Sequence, residues 1–377
     1  MSGSVGVQGG SGVGSQAGNS TSSNPGGTPA VPNGTDSGAG IPVGIATAQK
    51  NATTLFFAIQ RNLQPGKPVG VGYFSSQADS QAPFSFYFSA NAALTVPYWK
   101  PVFPVGLNGE EQVAWIEEGS GGSYLKIVNP SNMETTQVGS IVPARFWDLS
   151  YDATKMAGIT PDGKAFIQIP KDNLNKVDSG KGSGNVLYGN PGLSASARVQ
   201  WVNGTQELAV VDPVSKQIEL FLAKDLQNPE LSLSGESFSA SPSGKILLVY
   251  SNGQLSRVDR STGQVSAALN VSVSSFIGPE WNGEGRLAFV DATNSAVQVD
   301  VLDLVSNQLS AQYAVQASAI QVSSVSPAWV GSRLYYTAMN QSVWSVWQIS
   351  NPGADPVVVA SSENEDQAYF DAQGVSP

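Results

Sequence analysis

The chain of 377 residues contains no cysteine and no histidine. Without cysteine no disulfide framework can form, so the fold must be stabilised by packing. Without either residue a Ser-His-Asp triad, a cysteine nucleophile and a His- or Cys-ligated zinc site are all excluded. Charge is scarce too: Asp, Glu, Lys and Arg make up 13% of the chain, about half the usual share. Long exposed helices draw on Glu, Lys and Arg, so this scarcity argues for strands and turns. The 40 glycines and 23 prolines point the same way. Net charge is −10 and no Lys/Arg cluster occurs, which leaves nothing to neutralise the phosphates of a nucleic acid. No apolar run approaches the roughly 18 residues that span a bilayer. The first basic residue is Lys50, with no apolar segment before it, so no export-signal pattern is visible. The charge-poor, Asn-, Thr-, Ser- and Gly-rich style nevertheless matches periplasmic, secreted or cell-surface chains, with any signal or anchor absent from these residues.

Residues 1–49 carry one charge, Asp36, and no aromatic side chain ("GGSGVGSQAGNSTSSNPGGTPA"). Such a stretch cannot bury enough apolar surface to offset the entropy of ordering it. The composition predicts a disordered Gly/Ser-rich tether over residues 1–53 and a folded body over 54–377.

Within the body one pattern recurs. Ser239–Val265 reads turn, apolar strand, turn, alternating strand, turn. Its apolar strand Ile246–Tyr250 has counterparts in Val113–Ile116, Met156–Ile159, Leu208–Val211, Leu287–Val290 and Leu334–Thr337, spaced 43, 52, 38, 41 and 47 positions apart. Turn residues such as Asn203-Gly204, Ser243-Gly244 and Asn282-Gly283 precede them. Trp147, Trp201, Trp281 and Trp329 stand just upstream. Second strands follow at Tyr124–Val128, Phe166–Ile169, Ile218–Leu222, Leu255–Val258, Val297–Leu302 and Val343–Ile349. Weaker edge strands follow at Leu231–Leu233, Val265–Leu269 and Val357–Val359. A period in the forties with four short strands per unit predicts an all-β propeller of four-stranded antiparallel blades. Six core strands are counted directly. A seventh blade follows if Ala368–Asp371 supplies the innermost strand and Leu55–Ile59, Val69–Phe74 and Phe84–Phe88 supply the others, so that the chain ends pair. Dividing residues 54–377 by seven gives a period of about 46; six blades is the alternative.

The pattern resembles the WD-repeat-like propellers of the TolB type, whose blades carry a "W-S-P-D-G-K-x-[apolar]-A-[apolar]" line. Ser241-Pro-Ser-Gly-Lys-Ile246 matches it best, Pro161-Asp-Gly-Lys164 echoes it, and Trp281-Asn-Gly-Glu-Gly-Arg-Leu-Ala-Phe289 keeps its Trp, Gly, basic residue and strand. The resemblance covers the chain past residue 53 and implies the fold. TolB's N-terminal α/β domain has no counterpart in these residues, so the resemblance does not imply a TolB-like role in import.

Carboxylates are the remaining chemistry, since glycoside hydrolysis needs only two of them at a suitable separation. The candidates are Glu117-Glu118, Asp212, Asp291 and the Glu363-Asn-Glu-Asp366 run, all expected in loops. Glu363, Glu365 and Asp366 could also ligate calcium, but they lack the Asp-x-Asp-x-Asp-Gly order of a defined loop, so solvated turns are expected throughout. Only a carboxylate held far above its ordinary pKa would restore acid-base chemistry near neutrality. Glycine-rich tracts lack the Gly-Lys-Ser/Thr of a phosphate loop. Asn-x-Ser/Thr acceptors at Asn19, Asn33, Asn51, Asn203, Asn270 and Asn340 matter only in a glycosylating host. Trp344 and Trp347 lie on opposite faces of one strand, as a ligand platform or, on the favoured reading, as blade packing. The sequence is read as a non-catalytic extracytoplasmic or cell-surface module that binds or assembles protein or envelope partners, with no catalytic residue, metal or cofactor. A carboxylate-dependent glycan enzyme and a structural surface lattice are the alternatives.

Overall fold

The computed structural model describes residues 54–61, 69–75, 84–88, 99–102, 112–119, 122–128, 134–150, 154–169, 186–202, 206–260, 262–293, 296–315, 325–340, 343–361 and 367–374. All belong to one compact unit, Ile41–Pro377. The expected tether lies outside the described residues, as does the 363–366 run.

The described residues form strands, turns and no helix. β1 (Thr54–Arg61), β2 (Val69–Ser75) and β3 (Phe84–Phe88) come first. A four-stranded sheet follows: β4 (Trp99–Val102), β5 (Gln112–Gly119), β6 (Gly122–Val128) and β7 (Thr135–Ile141). The next holds β8 (Phe146–Leu149), β9 (Met156–Ile159), β10 (Ala165–Gln168) and β11 (Val186–Tyr188). Then come β12 (Arg198–Val202), β13 (Glu207–Asp212), β14 (Gln217–Leu222) and β15 (Leu231–Ser234). β16 (Ser237–Ala240), β17 (Leu247–Ser251), β18 (Gln254–Val258) and β19 (Val265–Ser272) make another sheet. So do β20 (Ile277–Asn282), β21 (Arg286–Ala292), β22 (Val297–Asp303) and β23 (Gln308–Ala314). The last consecutive set is β24 (Pro327–Val330), β25 (Arg333–Asn340), β26 (Val343–Ile349) and β27 (Val357–Ser361). β28 (Gln367–Gly374) ends the series.

Each set of four is a blade of antiparallel neighbours. First strands of successive blades lie side by side, β8 with β12 and β20 with β24, so they converge at the centre of the ring. Counted as units of four consecutive strands the blades are six, the alternative number, not seven. The other four strands come from the two chain ends and form a sheet in the order β28-β1-β2-β3. Leu55 pairs with Gly374 and Arg61 with Gln367 there, with a bulge between Phe56 and Ala58.

Apolar clusters sit in the seams between blades. Strand alternation sends Ala288, Val290, Val299 and Val301 to one face of their blade, where they meet Trp329, Leu334 and Tyr336. Leu287, Phe289 and Leu302 go to the opposite face, against Leu248, Leu255 and Leu269. Second strands are therefore buried on both faces, which is why they read as continuous apolar runs. Space in these seams is tight: a Cβ on Gly158 would lie 2.6 Å from the Phe166 ring. The turn expected at Asn252-Gly253 is a two-residue hairpin turn with both residues at positive φ, 50° and 82°, which suits Asn-Gly.

The upstream tryptophans turn out to belong to the innermost strands, which the sequence pattern did not show. Three of them reach back to the innermost strand of the preceding blade. The Trp201 indole N–H donates to the Asp148 carbonyl at 3.3 Å, and its backbone N–H donates to the Asp148 carboxylate at 2.8 Å. Trp281 donates to Ser239 Oγ at 2.7 Å, and Trp329 donates to the Glu280 carbonyl at 3.2 Å. Trp347 stacks on Tyr336 at 6.1 Å, while Trp344 packs in the cluster on the opposite face. Both tryptophans serve blade packing.

Outer strands carry free edges, and the chain disarms them. β7, β19, β23 and β27 are each interrupted by a bulge against their neighbour. β11 and β15 run only three and four residues. Short or bulged edges resist pairing with a second chain.

Candidate functional site

Antiparallel order puts the links between blades and the turns between second and third strands on one rim of the ring. The turns between first and second and between third and fourth strands lie on the other. The link rim is where those singled-out carboxylates that lie among the described residues are found. They are strand residues, contrary to the expectation of loops: Asp212 ends β13, Asp291 lies near the end of β21, and Glu117 and Glu118 lie in β5. Asp212 and Asp291 still lie inside the ring wall because these strands are buried on both faces.

Asp212 and Asp291 occupy matching positions, after Leu208-Ala-Val-Val211 and Leu287-Ala-Phe-Val290. Both are buried, and each holds the link that enters its own blade. Asp212 accepts the Ser194 N–H at 2.9 Å and the Ser194 hydroxyl, and also the Val214 N–H at 3.1 Å. Arg145 adds hydrogen bonds to the Leu193 and Ser194 carbonyls. Asp291 accepts the Ser274 and Ser275 N–H groups, both at 2.8 Å. Burial pushes the Asp212 carboxyl up, but the Ser194 hydroxyl and the N–H donors outweigh it and hold the group below its ordinary range. A carboxylate so engaged is a poor base and is not open to a substrate.

Sequence reasoning missed the most unusual acid. Asp300, in the middle of β22, is wholly buried at 0% exposure. Its oxygens meet the Gln298 amide at 3.3 Å and the Gln312 amide at 3.4 Å. Burial, reinforced by the charge of nearby Asp291, raises its pKa to about 6, against the pull of the two glutamines. The only hint in the sequence is an Asp inside the Val-rich alternation Val297-Gln-Val-Asp-Val301. Asp291 pairs in register with Gln298, so Asp291, Gln298, Asp300 and Gln312 form one polar patch in the seam facing β16–β19. Tyr250 closes it from that side, its hydroxyl donating to the Ser274 carbonyl at 2.7 Å. Burial first, then the charges of Glu236 and Asp291, raise the Tyr250 pKa. Here is a carboxylate of the raised kind that acid-base chemistry requires, yet it is sealed from any substrate. Among the described residues no group of three or more acidic side chains is gathered to hold a metal ion.

No family model matches the chain, and no curated protein matches it. Solved β-propellers are similar to it. TolB from Acinetobacter baumannii shares 11% identity at a TM-score of 0.47, covering 86% of this chain and 67% of that one. The C-terminal WD40 domain of Sif2 shares 12% at 0.48, covering 83% and 84%. The dihydro-heme d1 dehydrogenase NirN shares 13% at 0.49, covering 85% and 75%. The four-stranded sheets make the chain a β-propeller, and it is similar to TolB and WD40 propellers.

Proposed function

We propose that the chain is a non-catalytic scaffold that binds or assembles protein partners outside the cytoplasm. The observation that carries this reading is the use made of Asp212 and Asp291: both fix the backbone of inter-blade links and neither is presented to a substrate. A rim whose loops are held this way is a rigid surface, and such loops are where scaffolds bind. The charge-poor composition supports an extracytoplasmic site. The test is a screen against peptide, ester and glycan substrates, for which no turnover is expected. Turnover abolished by Asp291→Asn or Glu117→Gln would overturn the scaffold reading in favour of a carboxylate enzyme.

The composite sheet belongs to the same proposal as a seventh blade that closes the ring. Its support is the pairing of β28 with β1 and the position of β28 beside β24, β25 and β26 on one side and β4 on the other. Closure leaves no blade without a neighbour. Removing residues 367–377 should therefore bare the edge of β1 and promote aggregation. A truncated chain that stays monomeric and melts like the intact one would leave six blades as the functional ring.

A further inference from the structure

We propose that the seam between the β16–β19 and β20–β23 blades is an acid-tightened latch, with Asp300 as its proton-holding group. The geometry requires some such behaviour. A carboxylate with no exposed surface keeps its charge only with a cation or strong donors. Among the described residues no cation bridges Asp300, and its amide contacts are long, at 3.3–3.4 Å. A protonated Asp300 satisfies the same pocket. Its O–H can donate to a glutamine amide oxygen once that amide turns over, while its other oxygen still accepts.

Of the charged groups around the pocket, Asp291 reinforces the preference and Arg257, a cation, opposes it. From β21 the facing titratable group is Asp291, a like charge. β22 and β23 present the neutral Gln298 and Gln312. Across the seam β17 presents Tyr250, with Glu236 behind it. β18 presents Arg257, which pairs in register with the seam residue Leu248. Asp291 also anchors Ser274 and Ser275 of the link between the two blades. The carboxylate that repels Asp300 thus holds the joint on which the blades would part.

The direction follows from linkage. A closed state that holds a proton up to about pH 6, against an ordinary carboxyl near 4 once open, is tightest at acid pH. Its opening constant should rise about thirtyfold from pH 4 to pH 6 and level off only above about pH 7. Hydrogen exchange of the β17, β18, β21 and β22 amides tests this in the full chain, comparing wild type with Asp300→Asn between pH 4 and 7. After correction for intrinsic exchange, the wild-type seam should open progressively over this range while the seam of the variant stays flat. Both chains share Asp212 and the other hydrogen-bonded acids, so acid effects from those groups cancel in the comparison. Infrared spectroscopy gives a second readout that does not depend on the variant's stability: a buried, protonated carboxyl stretch in wild type that fades between pH 5 and 7. Equal pH slopes in the two proteins, or no protonated carboxyl signal at pH 5, would overturn the latch.

Discussion

The seam between the β12–β15 and β16–β19 blades is built differently from the seam between the β20–β23 and β24–β27 blades. In the second, Trp329 fills the centre and its N–H ties back to Glu280 of the previous innermost strand. In the first, the matching position is Ala240, since Ala240 pairs with Leu247 as Trp329 pairs with Leu334. Among the described residues no indole crosses that seam. Phe238 and aliphatic residues fill it, and an ion pair stands at each rim. Lys216 meets Glu236 at 2.6 Å on the link rim and also bonds Asn252 at 3.0 Å. Arg260 meets Glu207 on the opposite rim and donates to the Gly244 carbonyl at 2.9 Å. The same joint between blades can therefore be made by one buried aromatic with a short tether, or by a smaller core fastened at both ends. These solutions respond differently to mutation and to salt.

Emptying the aromatic seam should have the largest effect. Trp329 is buried at 1% exposure, and removing a buried Trp costs about 3–5 kcal/mol. Trp329→Ala should lower the denaturation midpoint by that amount and open the β20–β27 region first in hydrogen exchange. A loss below about 1 kcal/mol would mean that the indole does not hold the seam.

Trp281→Phe asks a narrower question, whether the N–H contributes beyond the ring. The change keeps most of the packing and leaves the buried Ser239 hydroxyl without its partner, for which about 1–3 kcal/mol is expected. Adding Ser239→Ala should recover part of that loss, because the orphaned hydroxyl is then gone. Equal stability of the single and double variants would show that the 2.7 Å contact is incidental.

How much of this could be read from the residues alone depends on burial. Second strands such as Leu208-Ala-Val-Val211 were legible because both faces are buried and the apolar run is unbroken. Outer strands such as Leu231–Ser234 were legible in outline because alternation survives exposure. Innermost strands were not. Ser237-Phe-Ser-Ala240 and Ile277–Asn282 mix polar and apolar residues; Trp281 marked the place of the second, and nothing marked the first. Asp212 and Asp291 were picked out by residue type, but their hold on the links was invisible because the serines they bind there lie 16–18 positions earlier. Asp300 was passed over for a related reason. Its character comes from burial between two blades, and no local pattern encodes that.

Glu207→Gln weakens the fastened seam without emptying it. The Glu207 side chain is 13% exposed and that of Arg260 30%. Hydrogen bonds to charged partners contribute roughly 1 kcal/mol more than neutral ones, so a loss of about 1 kcal/mol is expected. The shielded position should make it nearly independent of salt. A loss that disappears in molar salt would place this pair in the same class as an exposed one.

The smallest effect should come from Lys216→Met, and salt is what makes it informative. The Lys216 side chain is 48% exposed and that of Glu236 29%, so the pair belongs with surface bridges contributing about 0.2–1 kcal/mol. Lys216 sits at φ 56°, and Met keeps that backbone strain, whereas Gly would relieve it and mask the loss of the bridge. At low ionic strength the variant should lose a few tenths of a kcal/mol. At about 1 M salt, where the screening length falls to roughly 3 Å, wild type and variant should coincide. Trp329→Ala should show the same deficit at both salt concentrations, since its loss is one of apolar burial. If Lys216→Met keeps its full effect in high salt, the short-range hydrogen bond from Lys216 to Asn252 carries the contact, because Met preserves the aliphatic stem. The fastened joint would then be held by directed hydrogen bonding and the aromatic one by apolar burial.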